Sequence, residues 1–151
     1  MKYITQRIKT TLSASADLAT AAGVSSMSNR VSIRMGEISM TGGVNIGRLP
    51  CVYLEEVSVG YEFQAEPNHE GSRTSEIKVI LLVPTFINRS ETQYLKIEKM
   101  KTTILSILTK DLALGVTDVR EDAPIVTQMA TQLSINITLD SSYDNNYSEG
   151  N

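Results

Sequence analysis

The stretch SETQYLKIEKMKTTILSILTKDLAL, residues 90–114, decides the predicted fold. Apolar residues recur in it every three or four positions, which is the spacing of a helix with one buried side. The stripe consists of Ile97, Met100, Ile104, Leu108 and Leu112, widened by Leu105 and Ile107. Ser90 and Gln93 match a capping box at its start, and Gly115 is expected to end the helix in the left-handed conformation. Because an isolated helix of this length is marginally stable in water, we expect it to lie on a sheet.

The cationic residues of this helix predict its outer surface. They fall largely off the apolar stripe and are Lys96, Lys99, Lys101 and Lys110. We expect these side chains to be solvated, which is the ordinary state of charges on the outer side of a helix. A weak basic face that contacts a partner is the alternative.

The N-terminal segment, residues 3–22, predicts a helix that ends at Gly23. Its apolar side consists of residues spaced four apart, namely Ile4, Ile8, Leu12 and Ala16. Residues 31–35 then alternate between apolar and polar, which predicts a short, half-buried strand. In the glycine-containing loop that follows, residues 39–47, the spacing fits neither the dinucleotide fingerprint nor a P-loop.

Two apolar segments with a polar tip between them predict one long β-hairpin. Leu49-Pro50 opens the first strand, and its apolar positions change parity near Glu55-Glu56, which indicates a β-bulge. Residues 65–75 form the polar tip, and residues 77–83 become apolar on both faces. The N-terminal helix or a second subunit is expected to cover the face that the long helix leaves open. The outer hairpin, about residues 57–80, is polar enough to project as an arm.

The last strand has the cleanest alternation in the chain. One face carries Met129, Thr131, Leu133, Ile135, Ile137 and Leu139. A short strand at residues 116–119 and an acidic turn precede it, and the polar tail, residues 141–151, is expected to become ordered only on a partner. The order α-β-β-β-α-β predicts one α+β domain over residues 1–140, in which a mostly antiparallel or mixed sheet of about four strands packs on the long helix.

Composition excludes several classes of protein. The 151 residues carry a net charge of −3 with a pI of about 5.2, which is not the basic footprint of a nucleic-acid-binding domain. The single cysteine, Cys51, permits no intrachain disulfide. The N-terminus lacks the apolar run of a signal peptide, and no stretch is long enough for a membrane helix, so we expect an intracellular product.

No catalytic, cofactor-binding or metal-ligating constellation is predicted. His69 is the only histidine and lies in the polar tip, so one chain cannot supply a histidine-based triad or a multi-histidine metal site. Cys51 has no evident activating base, and we expect a packing thiol. Neighbouring strand residues such as Glu55 and Glu56 point to opposite faces, which argues against an acid pair. The chain is therefore predicted not to be an enzyme.

The layout resembles the tail terminator, or tail completion, proteins of long-tailed bacteriophages. The residues that carry the resemblance are the helix at Ile4–Ala22, the step Leu49-Pro50-Cys51-Val52-Tyr53-Leu54, the hairpin partner Glu76–Pro84, the helix Glu91–Leu114, the step Gly115-Val116-Thr117-Asp118-Val119, and Pro124 before the last strand. Residues 25–47 are longer than this layout needs, which leaves a related neck, tail-tube or sheath-associated component open.

The resemblance implies a structural role in the virion. Proteins of this family form a ring, usually six-fold, on the head-proximal end of the tail tube, stop tube growth and present a surface to the neck. The implied partners are further copies of the chain, the tail tube protein and the neck or connector protein, and DNA passes through the lumen without specific binding. The implied location is the virion tail, after assembly in the host cytoplasm. The candidate subunit contacts are Gln64, Glu66, Asn68, His69, Arg73, Gly42, Gly43, Tyr143 and Tyr147.

Two other functions stay open at this stage. One is a small α+β ligand-binding or regulatory domain that dimerises through a sheet edge and has an apolar pocket between helix and sheet. The other is an enzyme whose site forms between subunits, in which alanine at His69 or Glu56 abolishes activity.

Overall fold

The computed structural model describes residues 4–34, 49–63, 70–84, 91–112, 115–127 and 130–144. The helices are α1 (Ile4–Ala14), α2 (Ala16–Ala22) and α3 (Glu91–Ser106), and α3 continues as a π-helical segment, Ile107–Asp111. The strands are β1 (Val31–Ile33), β2 (Cys51–Phe63), β3 (Glu70–Pro84), β4 (Val116–Glu121), β5 (Ile125–Val126) and β6 (Ala130–Asp144).

The strands form one mixed, mostly antiparallel sheet. Its order is β1-β2-β3-β6-β4, and β5 pairs with β6 beside β4. Among the described strands, only β1 and β2 are parallel. This confirms the predicted α+β class and mostly antiparallel sheet, with six strands in place of about four. The last strand in sequence therefore lies inside the sheet, between β3 and β4.

All three helices pack on the same face of the sheet. Cross-strand register places Leu54 opposite Val79 and Val79 opposite Ile135, so these side chains form a row across β2, β3 and β6. Met100 and Ile104 of α3 are fully buried in the same cluster as this row. Each such side chain contributes roughly 1.5–3 kcal/mol on burial, so the predicted stripe of the long helix is confirmed as the central packing surface.

The N-terminal segment is two helices, and the prediction of one continuous helix was wrong. Ser15 has extended backbone angles (φ −75°, ψ 115°), and its hydroxyl accepts a hydrogen bond of 3.1 Å from the amide of Leu18. This N-cap restarts the helix and shifts its apolar phase, so Ala16 is exposed. Gly23 ends α2 in the left-handed conformation at φ 74°, as predicted.

The end of the long helix also differs from the prediction. The amide of Leu112 donates to the carbonyl of Ile107 at 2.9 Å, which closes a π-type turn. Gly115 is not left-handed, and it is required for a different reason: a Cβ there would collide with the backbone carbonyl of Asp140. The amide of Asp140 donates to the carbonyl of Gly115 at 2.8 Å, so this glycine lets the chain approach β6 closely. The predicted capping box lies outside the described residues.

The second face of the sheet carries its own buried cluster. It consists of Leu49, Cys51, Ile80, Leu82 and Ala130, with Tyr53 packed against it. The expectation that the N-terminal helix covers this face was wrong, because α1 and α2 belong to the cluster on the α3 side. Cys51 is buried, as a packing thiol should be. The guanidinium carbon of Arg34 lies 5.0 Å from the centroid of the Tyr53 ring and caps one side of the cluster.

Candidate assembly surface

Three strands continue side by side past the ends of their neighbours. Backbone register pairs residues 58–63 of β2 with residues 71–76 of β3, and residues 70–76 of β3 with residues 138–144 of β6. We call these paired segments the three-strand extension; it is about 20 Å long at the usual rise per residue. Among the described residues, β1 pairs only with residues 52–54, and β4 and β5 pair only with residues 131–139. Most of the extension therefore has outer edges without a described strand partner.

A β-bulge lies at the root of the extension. The register between β2 and β3 shifts between Glu56 and Ser58, which confirms the predicted irregularity and makes Val57 the extra residue. Val57 is 51% exposed, and Glu56 accepts a hydrogen bond of 3.3 Å from the hydroxyl of Thr5 in α1. The bulge changes which side chains of β2 share a face without interrupting its pairing with β3.

The predicted contact residues lie in or beside this extension, or outside the described residues. Arg73 lies in β3 opposite Ser141, and Tyr143 lies in β6 opposite Gly71. The others fall outside the described residues: Gln64, Glu66, Asn68, His69, Gly42, Gly43 and Tyr147. The contact roles of all these residues stay predictions, as do the projection of the arm and the ordering of the tail by a partner.

One outer edge of the sheet, formed by β4 and β5, exposes large aliphatic side chains. Val119 is 39% exposed, Ile125 is 52% exposed and Val126 is 40% exposed. Within the described part of the chain, neither strand pairs with anything on the side away from β6. Unpaired strand edges with apolar side chains are surfaces on which another chain can add. Sequence reasoning missed β5, and the apolar pair directly after Pro124 was the available signal.

Acidic residues at the end of β4 form ion pairs with lysines on both sides of the sheet. Lys101 of α3 lies 2.7 Å from Glu98 and 3.2 Å from Glu121. Lys78 of β3 lies 3.7 Å from Asp122 on the other side. Glu121 and Asp122 of the acidic turn are thus half exposed and also bind cations of neighbouring elements.

Lys101 is buried, so the prediction that its side chain is solvated was wrong. Its side chain is buried because carboxylates of α3 and β4 surround the ammonium group. Burial by itself lowers the pKa of Lys101, but the hydrogen bonds to Glu98 and Glu121 outweigh burial and hold the pKa above its ordinary value of 10.5. Lys101 thus stays charged and links the long helix to the β4–β5 edge.

The opposite outer edge of the sheet is formed by β1. Ile33 is 40% exposed there and lies in a groove of about 610 Å³ between α1 and β1. The other residues that line the groove are Gln6, Lys9, Thr10, Ser13, Ala14 and Ser28. Arg34 directly follows β1, so this edge has a cationic border.

The groove corresponds in part to the site that a ligand-binding domain was expected to have. It lies between a helix and the sheet, as expected, but at the rim of the sheet, and polar residues stand beside Ala14 and Ile33 in its lining. On the second face, burial raises the pKa of Tyr53, the neighbouring Cys51 adds to this effect, and Arg34 opposes it. Within the described ranges, no three histidine, cysteine or acidic residues are grouped closely enough to hold a metal ion. The described helices include none that is long and apolar enough to cross a membrane.

Comparison with known proteins gives a likeness in structure but none in sequence. No family model matches the chain, and no curated protein matches it. The chain is similar in structure to a chain from "Virion of native gene transfer agent (GTA) particle", with 89% of this chain and 92% of that chain covered, 7% identity and a TM-score of 0.42. At this level the likeness carries no weight for the function of this chain.

Proposed function

We propose that this chain is a non-enzymatic structural protein of a virion that acts as a homo-oligomer. The observation that carries the proposal is the three-strand extension, in which β2, β3 and β6 run about 20 Å past the pairing that β1 and β4 provide. A sheet that only had to bury the helices of this chain would not need these extra residues. Paired strands with open outer edges are suited to contacts between copies.

The more specific proposal is a tail terminator or a closely related neck or tail component. Its support is the order of elements, in which a long helix is followed by a short strand from Val116 and by a long last strand after Pro124. The proposed assembly is a ring, most simply a hexamer, on the head-proximal end of the tail tube. Its mechanism is capping: the ring occupies the last tube layer with a surface that cannot recruit another tube subunit. Its other face binds the neck or connector protein.

The charge of the chain suits passage of DNA through such a ring. A net charge of −3 leaves little electrostatic attraction for phosphates, so DNA would move through the lumen without being held. The proposed location is the head-proximal end of the virion tail, after assembly in the host cytoplasm. No cofactor and no membrane enter this proposal.

Tail-length measurement tests this function directly. Tail tubes assembled in the presence of the pure protein should stop at a defined length with the protein at one end, seen by electron microscopy with a labelled chain. Native mass spectrometry of the same preparation should show discrete homo-oligomers. A chain with alanine at Tyr143, a predicted subunit contact in the extension, should cap less well than the parent. Tubes of unchanged length that carry no label would refute the proposal.

The ligand-binding alternative makes a different prediction. A regulatory domain should show a thermal shift with small metabolites and should form only dimers. Within the part of the chain that the structure describes, the groove between α1 and β1 is the candidate ligand site, so Thr10→Trp should abolish the shift. No shift with a metabolite panel, together with oligomers larger than dimers, favours the structural role.

A further inference from the structure

The two outer edges of the sheet have opposite charge. The β4–β5 edge carries Asp118, Glu121 and Asp122, whose side chains are each about half exposed, against the single cation Arg120. Each of these acids is engaged by a cation of its own chain, but half of each side chain remains in contact with solvent.

The β1 edge has the complementary character. Lys9 lines the groove and Arg34 follows the strand, and the described residues that line the groove include no carboxylate. Long-range attraction therefore favours contact between the two unlike edges, while two β4–β5 edges repel each other.

Three of the exposed apolar side chains of the two edges lie on the same face of the sheet, whereas Ile125, opposite Gln132, lies on the other face. Val119 is opposite Ile137 and Val126 is opposite Thr131, which places both on the face that the helices cover. Ile33 lies on that face as well, because it follows the buried Val31 by two residues and lines the groove beside α1. When the two edges meet with the helices on one side, these aliphatic side chains can cover each other.

We propose that the β4–β5 edge of one copy docks on the β1 edge and the α1–β1 groove of the next copy. The contact brings exposed aliphatic groups together and also places opposite charges near each other. It makes the sheet and its helical layer continuous from one subunit to the next. Because the two surfaces differ, the contact is heterologous, and repeating it gives a closed ring or an open helix, not a two-fold dimer. This proposal rests on the homo-oligomeric role proposed above and names the surfaces responsible for it.

Two single substitutions test the contact from its two sides. Ile33→Glu places a carboxylate on the β1 edge, where it faces the acids of the other copy. Val126→Lys places an ammonium group on the β4–β5 edge, on the helix-covered face, where it faces Lys9. Both positions are at least 40% exposed in the single chain, so folding should be retained, as judged by circular dichroism. Each variant alone should be monomeric, with association weakened about 10-fold or more in analytical ultracentrifugation.

Mixing the two variants gives the decisive measurement. The unaltered β4–β5 edge of the Ile33→Glu chain can bind the unaltered β1 edge of the Val126→Lys chain, so a one-to-one mixture should regain association. Leu95→Glu is the matched control: Leu95 is an exposed aliphatic residue on α3 that belongs to neither edge, and this variant should assemble like the parent.

Three results would overturn the contact. They are normal assembly of either variant alone, a mixture of folded variants that stays monomeric, and a parent chain that is monomeric up to its solubility limit. The virion role is judged separately by the presence of the labelled chain on tail tubes. A chain that caps tubes while both variants assemble normally would keep the function and reject these surfaces.

Discussion

Replacement of Ile104 by alanine should destabilise the chain more than most single changes. Ile104 lies in the middle of the α3 stripe with no exposed surface, among the residues that join the helix to the sheet. The substitution removes three carbon atoms, worth about 2.5 kcal/mol in transfer from water, and the cavity that remains raises the total to about 3–5 kcal/mol. For a chain of this size, such a loss lowers the melting temperature by about 6–20 °C. Ile104→Asp should cost more, because it also buries an unpaired charge.

Urea unfolding followed by circular dichroism measures this difference. The titration should be repeated at two protein concentrations, so that any contribution from association is separated from the stability of the single chain. Leu95→Ala is the matched control, since it shortens an aliphatic side chain on the same helix at a position that is 57% exposed. It should change the free energy of unfolding by no more than about 0.5 kcal/mol. Equal effects of Ile104→Ala and Leu95→Ala would show that the buried side of the helix has been assigned wrongly.

Three further predictions concern local features. Gly115→Ala should destabilise the chain by about 1–3 kcal/mol in urea unfolding, because its Cβ meets the carbonyl of Asp140; an unchanged midpoint would mean that the two segments are not in close contact. Ser15→Ala should cost about 1 kcal/mol through loss of the N-cap, whereas Ser15→Asp should keep the cap, and equal losses in both would contradict the capping role. Because the folded pKa of Lys101 exceeds its unfolded value, its stabilising effect is complete below pH 10.5 and declines as pH rises through the folded pKa. The stability difference between the parent and Lys101→Met should therefore shrink above that pH, and a difference that stays constant up to the folded pKa would contradict the pairing with Glu121.

Periodicity was sufficient to predict the parts of the fold whose burial is continuous. The stripe around Ile104 and the alternation through Ile135 each mark one buried face, and a hydrophobic period reports burial directly. The parity change at Glu55-Glu56 was also readable, because one extra residue must move later side chains to the other face. These features depend on near neighbours in sequence.

Features that depend on distant contacts could not be predicted in this way. Lys101 is buried because Glu121, 20 residues later, completes its set of carboxylates, and no helical spacing shows that partner. β5 has only two residues and exists through its pairing with β6, so it has no periodicity of its own. The break at Ser15 has a sequence signal, a serine followed by Asp17 in a first turn. The apolar period continues across it, however, and by itself predicts one helix.

The candidate surface was predictable only in outline. Long strands were expected to join subunits, and that expectation came from strand length alone. The opposite charges of the two sheet edges follow from topology, since strands far apart in sequence become the two borders of one sheet. Asp118 and Arg34 define those borders, and their assignment to opposite edges required the strand order.

The position of β6 has a consequence for synthesis of the protein. This strand follows every other described element in sequence, yet it lies between β3 and β4. While the ribosome is still adding residues before 130, the buried face of β3 lacks its longest neighbour, and β4 and β5 have nothing to pair with. The β4–β5 border therefore forms only after β6 has been translated and has left the exit tunnel. Until then β3 presents an unpaired strand edge, the kind of surface on which nascent chains of one polysome can associate.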